Sequence, residues 1–336
     1  VGAAGFFLPF FRRKLLCLAM LAKPVNVRNM TKHIVVLMGG PSAEREVSLR
    51  SGAACAKGLR ESGYKVTELD MQEDVALRLR ELKPDVVFNA LHGNFGEDGC
   101  VQGMLELMRI PYTHSGLLAS AIAMDKPMAK IVFTEAGLTC PHGVTLTLGE
   151  LLAKGDPMPR PFVVKPASEG SSVGVYIVTK ADNRLLTQIL EPEKELERLY
   201  LVEQYIPGRE MTVAVLDDQP LGVTEIRPVE GFYDYTNKYT DGKTEHLCPA
   251  PLPKDKYEEA MKIALVAHQA LGCRGLSRAD LRYDDTDPSK GKFYLLEVNT
   301  QPGMTALSLS PELAAYAGIS FNQLVDRLVK GARLGK

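Results

Sequence analysis

Two carboxylates and an amide near the C-terminus have the types and spacing to hold a metal ion. In the stretch Phe293–Met304 (FYLLEVNTQPGM), the apolar run Phe293–Leu296 reads as a strand, and Glu297 and Asn299 follow two positions apart. Strand side chains alternate faces, so both turn the same way. Upstream, Ser277–Tyr283 (SRADLRY) reads as a second strand, with the turn-rich DDTDPSKGK between the two. A simple hairpin with its midpoint between Pro288 and Ser289 sets Asp280 against Glu297 and Arg278 against Asn299, unless a bulge shifts the register. Directly opposed carboxylates repel. Mg²⁺ would remove the repulsion, because it prefers oxygen ligands and bridges one or two carboxylates to substrate phosphates. Asp280, Glu297 and Asn299 are therefore the metal candidates. The competing reading is an edge hairpin with solvated charges. Against it, NTQPGM places Pro302 and Gly303 directly after the ligands, where backbone N–H groups can turn toward an anion.

Phosphate and nucleotide contacts have candidates in the middle of the chain. The strand PFVVKP (161–166) leads into the small-residue loop ASEGSSVG and then the strand VYIV. A glycine-serine loop between two strands can fold over phosphates with its N–H groups and hydroxyls. Lys165 ends the strand before that loop, and Lys126, in AMDKPMAK, is a second phosphate candidate; a solvated lysine is the ordinary alternative for each. The only GK[ST] run, Gly242-Lys243-Thr244, has Asn237 where a P-loop needs glycine, and is set aside. At the exit of the strand LYLVEQYI, Glu203, Tyr205 and Ile206 form a hinge suited to adenine, and Glu210 opens the next strand in reach of ribose hydroxyls. The aromatic loop Gly231–His246 reads as a lid, with Lys238 giving it charge.

These residues need elements to position them. From Lys32 onward strand and helix alternate: HIVVLM, a tight Gly-Gly-Pro-Ser turn, a helix from Glu44 to Ser62, a strand Tyr64–Leu69, a helix, and a strand Val86–Ala90. This is a doubly wound α/β unit, whose ligands lie beyond the carboxyl ends of its strands. GGPSAERE and LHGNFGEDG sit at those ends, making Glu44 and His92 candidate ligand contacts. A first-turn acid favoured by the helix dipole and a capping residue are the alternatives. No GxGxxG follows the first strand, which weakens a hydride-transfer reading. A helical region is expected over Leu117–Ala136, and a polar helix before LYLVEQYI. An antiparallel hairpin turning at Asp217-Asp218 comes next, then helices over Tyr257–Leu271 and Phe321–Ala332.

Composition bounds the possibilities. The 336 residues suggest about two domains from length alone, and a net charge of -1 gives no basic footprint for nucleic acid. Six scattered cysteines without CxxC point to reduced thiols in a cytoplasmic protein, and six histidines without an HxxxH pair argue against zinc. In residues 1–30, GAAGFFLPFF and LLCLAMLA are split by Arg12, Arg13 and Lys14, so neither reaches the ~20 apolar residues of a membrane span. A disordered extension, or residues upstream of the true start, is expected there in preference to a weak secretory signal.

The ordered set GGPSAEREVS, ALHGNFGEDG, KPASEGSSVG, GFYDYTNKY, SRAD and LLEVNTQPGMT resembles the D-alanine-D-alanine ligases of the ATP-grasp superfamily, from about Thr31 to the C-terminus. The resemblance implies an α/β and α+β, three-domain ATP-grasp architecture: extension 1–30, N-terminal α/β substrate domain 31–126, central lobe 127–208 and C-terminal lobe 209–336. It implies ATP as co-substrate, Mg²⁺ or Mn²⁺ as two ions on Asp280, Glu297 and Asn299, and a homodimer. Lys126, Lys165, Glu169, Ser171, Ser172 and Lys238 match its ATP-phosphate contacts. Glu203, Tyr205 and Ile206 match those to adenine, and Glu210 the one to ribose. Glu44 matches the contact to the first D-alanine ammonium, with His92 near its carboxylate. Arg278 and the N–H of Gly303 match the oxyanion site, and Ser308 and Leu309 the second carboxylate. Tyr239 and Ser171 match a triad with Glu44 that closes the lid; Tyr239 favours alanine over D-lactate as acceptor. The implied activity is ATP-dependent formation of D-alanyl-D-alanine through a D-alanyl phosphate, for peptidoglycan precursors. The alternatives are a D-lactate or other carboxylate-amine ligase on the same fold, and a non-catalytic nucleotide-binding regulator.

Overall fold

A computed structural model describes residues 31–170, 174–228, 244–287 and 291–335 of the chain. The first sheet is parallel, with β1 (His33–Gly39) between β2 (Lys65–Met71) and β3 (Val86–Asn89). Ile34 to Leu37 are fully buried, as a central parallel strand covered on both faces requires. Helices α1 (Arg45–Glu61), α2 (Val75–Leu82) and α3 (Cys100–Met108) come after the three strands in turn. One face of the sheet packs Val35 and Leu37 against Leu79 and Leu105. The opposite face shares a core with the far end of the chain, joining Ile34, Val36 and Phe88 to Leu276, Leu313 and Leu328. That shared core brings the loops after β1 and β3 beside the C-terminal strands.

The second sheet is antiparallel, in the order β4-β7-β5-β6, from β4 (Gly143–Thr147), β5 (Phe162–Pro166), β6 (Tyr176–Val178) and β7 (Leu199–Gln204). Helices α6 (Leu148–Lys154) and α7 (Leu186–Ile189) bury Leu148, Leu151 and Leu186 against Phe162 and Val164. The third sheet, also antiparallel, is β10-β9-β8-β11-β12, built from β8 (Arg209–Leu216), β9 (Gln219–Pro228), β10 (Thr244–Leu247), β11 (Leu276–Asp284) and β12 (Lys292–Asn299). Helix α8 (Lys254–Ala270) packs its alanines 260, 264 and 267 in the core shared with Val213 and Leu281. Helices α9 (Leu309–Tyr316) and α10 (Phe321–Gly331) end the fold. Asp217 and Asp218 take φ of 49° and 61° at the β8–β9 turn, the left-handed pair of a two-residue hairpin.

The hairpin of β11 and β12 has the expected register at the metal candidates. Arg278 opposes Asn299 and Asp280 opposes Glu297. A bulge immediately after Asp280 then shifts the ladder, so that Leu281 faces Leu295.

Two expected elements differ. The helical region from Leu117 to Ala136 is two helices, α4 (Leu117–Met124) and α5 (Lys126–Glu135). Asp125 caps the second by accepting the Met128 N–H at 3.0 Å, and Pro127 in its first turn has no N–H to continue the first helix. The break sets Lys126 at the head of α5. The polar helix expected within ILEPEKELER (189–198) does not form: the single turn Leu186–Ile189 ends where it would begin, Pro192 interrupts the segment, and Arg198 is drawn into ion pairs with Glu169 and Glu193. Among the described residues no helix is long and apolar enough to cross a membrane, and the five cysteines are free thiols.

Candidate functional site

A cavity of about 350 Å³ opens where the loops after β1 and β3 meet the end of β12. Glu44, His92, Arg278, Gly303, Ser308 and Leu309 all line it. Glu44 stands at the N-cap of α1 and is buried. His92 does not cap a helix: it is buried, with Nδ1 3.1 Å from the Gln301 carbonyl and Nε2 3.3 Å from Ser51 Oγ. Burial, with a smaller push from the Arg278 charge, lowers its pKa to about 4, so it is neutral at physiological pH. Ser308 precedes α9, and its Oγ accepts the Thr305 N–H at 3.0 Å. The hydroxyl and the helix N-terminus therefore face the loop that carries Gly303, in a position suited to an anion.

A second cavity, of about 90 Å³, lies between the second and third sheets. Lys165, Glu169, Glu203, Tyr205, Ile206 and Glu210 line it. The Glu203 carboxylate, 3% exposed, holds Lys165 Nζ at 2.5 Å and Lys130 Nζ at 2.7 Å. Burial alone would raise the Glu203 pKa, but the two ammonium groups hold it below the usual carboxylate range. On Lys165, burial is overcome by Glu203 and Glu297, and the pKa is raised.

Lys126 and Glu297 line both cavities, and lie 3.6 Å apart. Lys126 also donates to the Glu169 carbonyl. Beside them, Asp280 accepts from Arg278 Nε at 3.0 Å, Arg278 Nη2 at 2.8 Å and Thr212 Oγ1 at 2.6 Å. Asp280, Glu297 and Asn299 share one face of the hairpin, a set of oxygen donors that fits a hard divalent cation. Among the described residues no three His, Cys, Asp or Glu side chains cluster for metal. The candidate set is thus two carboxylates and an amide, leaving room for water and phosphate oxygens.

Ser171, Ser172, Lys238 and Tyr239 lie outside the described residues. Sequence reasoning missed four residues. Lys130 stands one turn after Lys126, a spacing that would have pointed to it. Arg282 shares the face of Arg278 and Asp280 by alternation; it donates to the Ile206 carbonyl at 3.1 Å and sits 3.6 Å from Glu210. Glu97, in the run ALHGNFGEDG, and Arg50 line the larger cavity. The run at the carboxyl end of β3 pointed to the neighbourhood of Glu97 without singling it out, and no local pattern marked Arg50.

The model described as D-ala D-ala ligase C-terminus matches residues 153–330, and that described as D-ala D-ala ligase N-terminus matches residues 72–115. The chain is 54% identical over 304 residues to the D-alanine--D-alanine ligase of Parvibaculum lavamentivorans, covering 90% of this chain and 98% of that one. It is 56% identical over 308 residues to that of Paramagnetospirillum magneticum, covering 90% and 99%. Among solved structures, it is similar to the Bacillus anthracis D-alanine--D-alanine ligase complexed with ATP, at TM-score 0.75 and 33% identity over 90% of this chain and 97% of that one. The VanG D-Ala:D-Ser ligase from Enterococcus faecalis matches at TM-score 0.73 and 30% identity, over 89% and 99%. With the described parts of the ordered motifs converging on one pair of adjoining cavities, and relatives matched over nearly their whole length, the chain belongs to the D-alanine--D-alanine ligase family.

Proposed function

We propose that the protein joins two D-alanine molecules into D-alanyl-D-alanine with cleavage of ATP to ADP and phosphate, through a D-alanyl phosphate, to supply peptidoglycan precursors. The observation that carries this reading is the meeting, at Lys126 and Glu297, of a cavity lined by Glu44, His92 and Arg278 with a cavity lined by Lys165 and Glu203.

A carboxylate is a poor electrophile, so the first D-alanine must be phosphorylated before an amine can displace phosphate. Phosphoryl transfer is mostly positioning and charge neutralisation. Lys126 and Lys165 supply positive charge toward the γ-phosphate, while Glu203 and Lys130 hold Lys165 in place. Asp280, Glu297 and Asn299 would hold Mg²⁺ or Mn²⁺, which neutralises phosphate oxygens when bound. Glu44 takes the first ammonium, with neutral His92 near its carboxylate. Ser308 and the N-terminus of α9, which begins at Leu309, take the second carboxylate. When the second amine attacks, Arg278 and the Gly303 N–H stabilise the tetrahedral oxyanion. Ser171, Ser172, Lys238 and Tyr239 are assigned by resemblance to the loop and lid that exclude water.

The three-lobed division at 31–126, 127–208 and 209–336 is supported by sheet membership: β1–β3, β4–β7 and β8–β12 fall one set to each segment. A homodimer is the partner we assign, supported by the exposed Leu107, Leu117 and Leu118 on α3 and α4; sedimentation tests it. A cytoplasmic location fits the use of ATP and the free thiols.

Incubation of purified protein with ATP, Mg²⁺ and single or paired D-amino acids, with mass identification of the product, tests the reading. The expected product is D-alanyl-D-alanine. No phosphate release with D-alanine would end it, and a depsipeptide or D-alanyl-D-serine would reassign the acceptor.

A further inference from the structure

We propose that Glu97 is a second carboxylate of the ammonium pocket, acting with Glu44 to bind the amino group of the first amino acid; this rests on the ligase reading above. Glu97 lines the larger cavity and is 7% exposed. Its Oε1 accepts the Gly93 N–H at 3.0 Å, but its Oε2 is buried with no hydrogen-bond partner among the described residues. A buried acceptor left unsatisfied beside a polar cavity points to a ligand donor.

The two carboxylates crowd one place. A methyl group added at Gly170 would lie 3.2 Å from Glu44 Oε2 and 3.3 Å from Glu97 Oε1. One added at Gly93 would lie 2.3 Å from Glu44 Oε2, while the N–H of the same residue holds Glu97. An α-ammonium has three N–H donors, as a lysine head group has, and two converging carboxylates match it better than one.

Charge gives the same result. Burial, then the Glu44 charge, raise the Glu97 pKa well above its ordinary value; Glu297 adds to the rise, and Gly93 and Arg278 oppose it. Lys126 also faces this group. Two carboxylates sharing a buried site resist ionising together, and a further cation between them favours the doubly charged form. Entry of the zwitterion's ammonium therefore lets the Glu97 carboxyl lose its proton to the buffer, and the ammonium stays intact.

The test is calorimetric titration of D-alanine into protein saturated with Mg²⁺ and a non-hydrolysable ATP analogue, in two buffers of different ionisation enthalpy, for wild type and Glu97→Gln. The wild type is expected to release more protons per D-alanine bound at the first site than Glu97→Gln does. Glu97→Gln is expected to release none and to bind D-alanine about tenfold or more weakly, with unchanged affinity for the analogue. Equal D-alanine affinity and proton release in the two proteins would overturn the inference, and so would parallel loss of analogue affinity, which marks a loop brace. Wild-type protein that binds no D-alanine would overturn the ligase reading itself, an outcome distinct from a silent substitution.

Discussion

Arg278 and Asp280 stand two positions apart on β11, and the guanidinium holds both oxygens of the carboxylate, at 3.0 and 2.8 Å. The same arginine lines the larger cavity, where the proposed function has it both compensate the candidate metal ligands and stabilise the oxyanion. Replacing it by alanine removes both services. Turnover is expected to fall by about 10²–10³ in kcat, the usual loss for an oxyanion donor, with ATP affinity nearly unchanged. Asp280 then opposes Glu297 without its arginine, so Arg278→Ala should lose about 3–5 kcal/mol of stability in chelator and recover part of it in Mg²⁺. Melting curves with and without Mg²⁺ check this; equal destabilisation in both would mean that the guanidinium does not compensate the carboxylate pair.

Glu203 is the shared anchor of two buried lysines. Glu203→Gln leaves Lys165 and Lys130 without their carboxylate and should cost about 3–5 kcal/mol, together with a raised KM for ATP. Because the Glu203 pKa is depressed in the folded protein, its contribution is present above the unfolded carboxylate value, about 4.5, and is lost as pH falls through the folded value. Denaturant titrations of the two proteins should therefore differ at neutral pH and converge in acid. A gap that widened in acid would contradict the assignment.

His92 gives a pH dependence in a different window. Its pKa falls from 6.5 to about 4 in the folded state, chiefly through burial. The neutral form is favoured by folding, so the stability it confers is complete above about pH 6.5 and drains away toward pH 4, on the order of 3 kcal/mol in all. His114, lowered to about 3 by burial and by His92, adds to the same slope. His92→Gln should flatten stability between pH 7 and 4.5. An unchanged slope would show that His92 titrates normally.

Gly93 takes φ of +67°, and a Cβ there would sit 2.3 Å from Glu44 Oε2. Gly93→Ala adds left-handed strain of about 1–2 kcal/mol and displaces the Glu44 carboxylate. The KM for D-alanine should rise while that for ATP holds, because the nucleotide cavity lies elsewhere. Steady-state kinetics with each substrate varied decides it; a matched rise in both would place the damage in the fold.

Much was legible because it is local. Alternation put Glu297 and Asn299 on one face, and hairpin pairing set Asp280 and Arg278 across from them, as β11 and β12 show. The bulge after Asp280 left that reading intact because it falls beyond the ligands. The helix break at Asp125 was legible too, had Pro127 been given its full weight as a first-turn residue.

The amino-acid sequence by itself determined most element types, apart from the split helix at Asp125 and the polar helix before β7, together with the hairpin register and the ordered motifs, since each rests on spacing over a few residues. It did not determine which of many acids and lysines become partners. Glu203 meets Lys130 and Lys165, and Glu97 converges with Glu44, only because helices and strands remote in sequence pack together. The shared core that ties Ile34 and Phe88 to Leu276 and Leu328 carries the loops bearing Glu44 and His92 to the end of β12. Burial in that packed interior then lowers the proton affinity of His92, because charge loses its water only once the tertiary structure has closed around it.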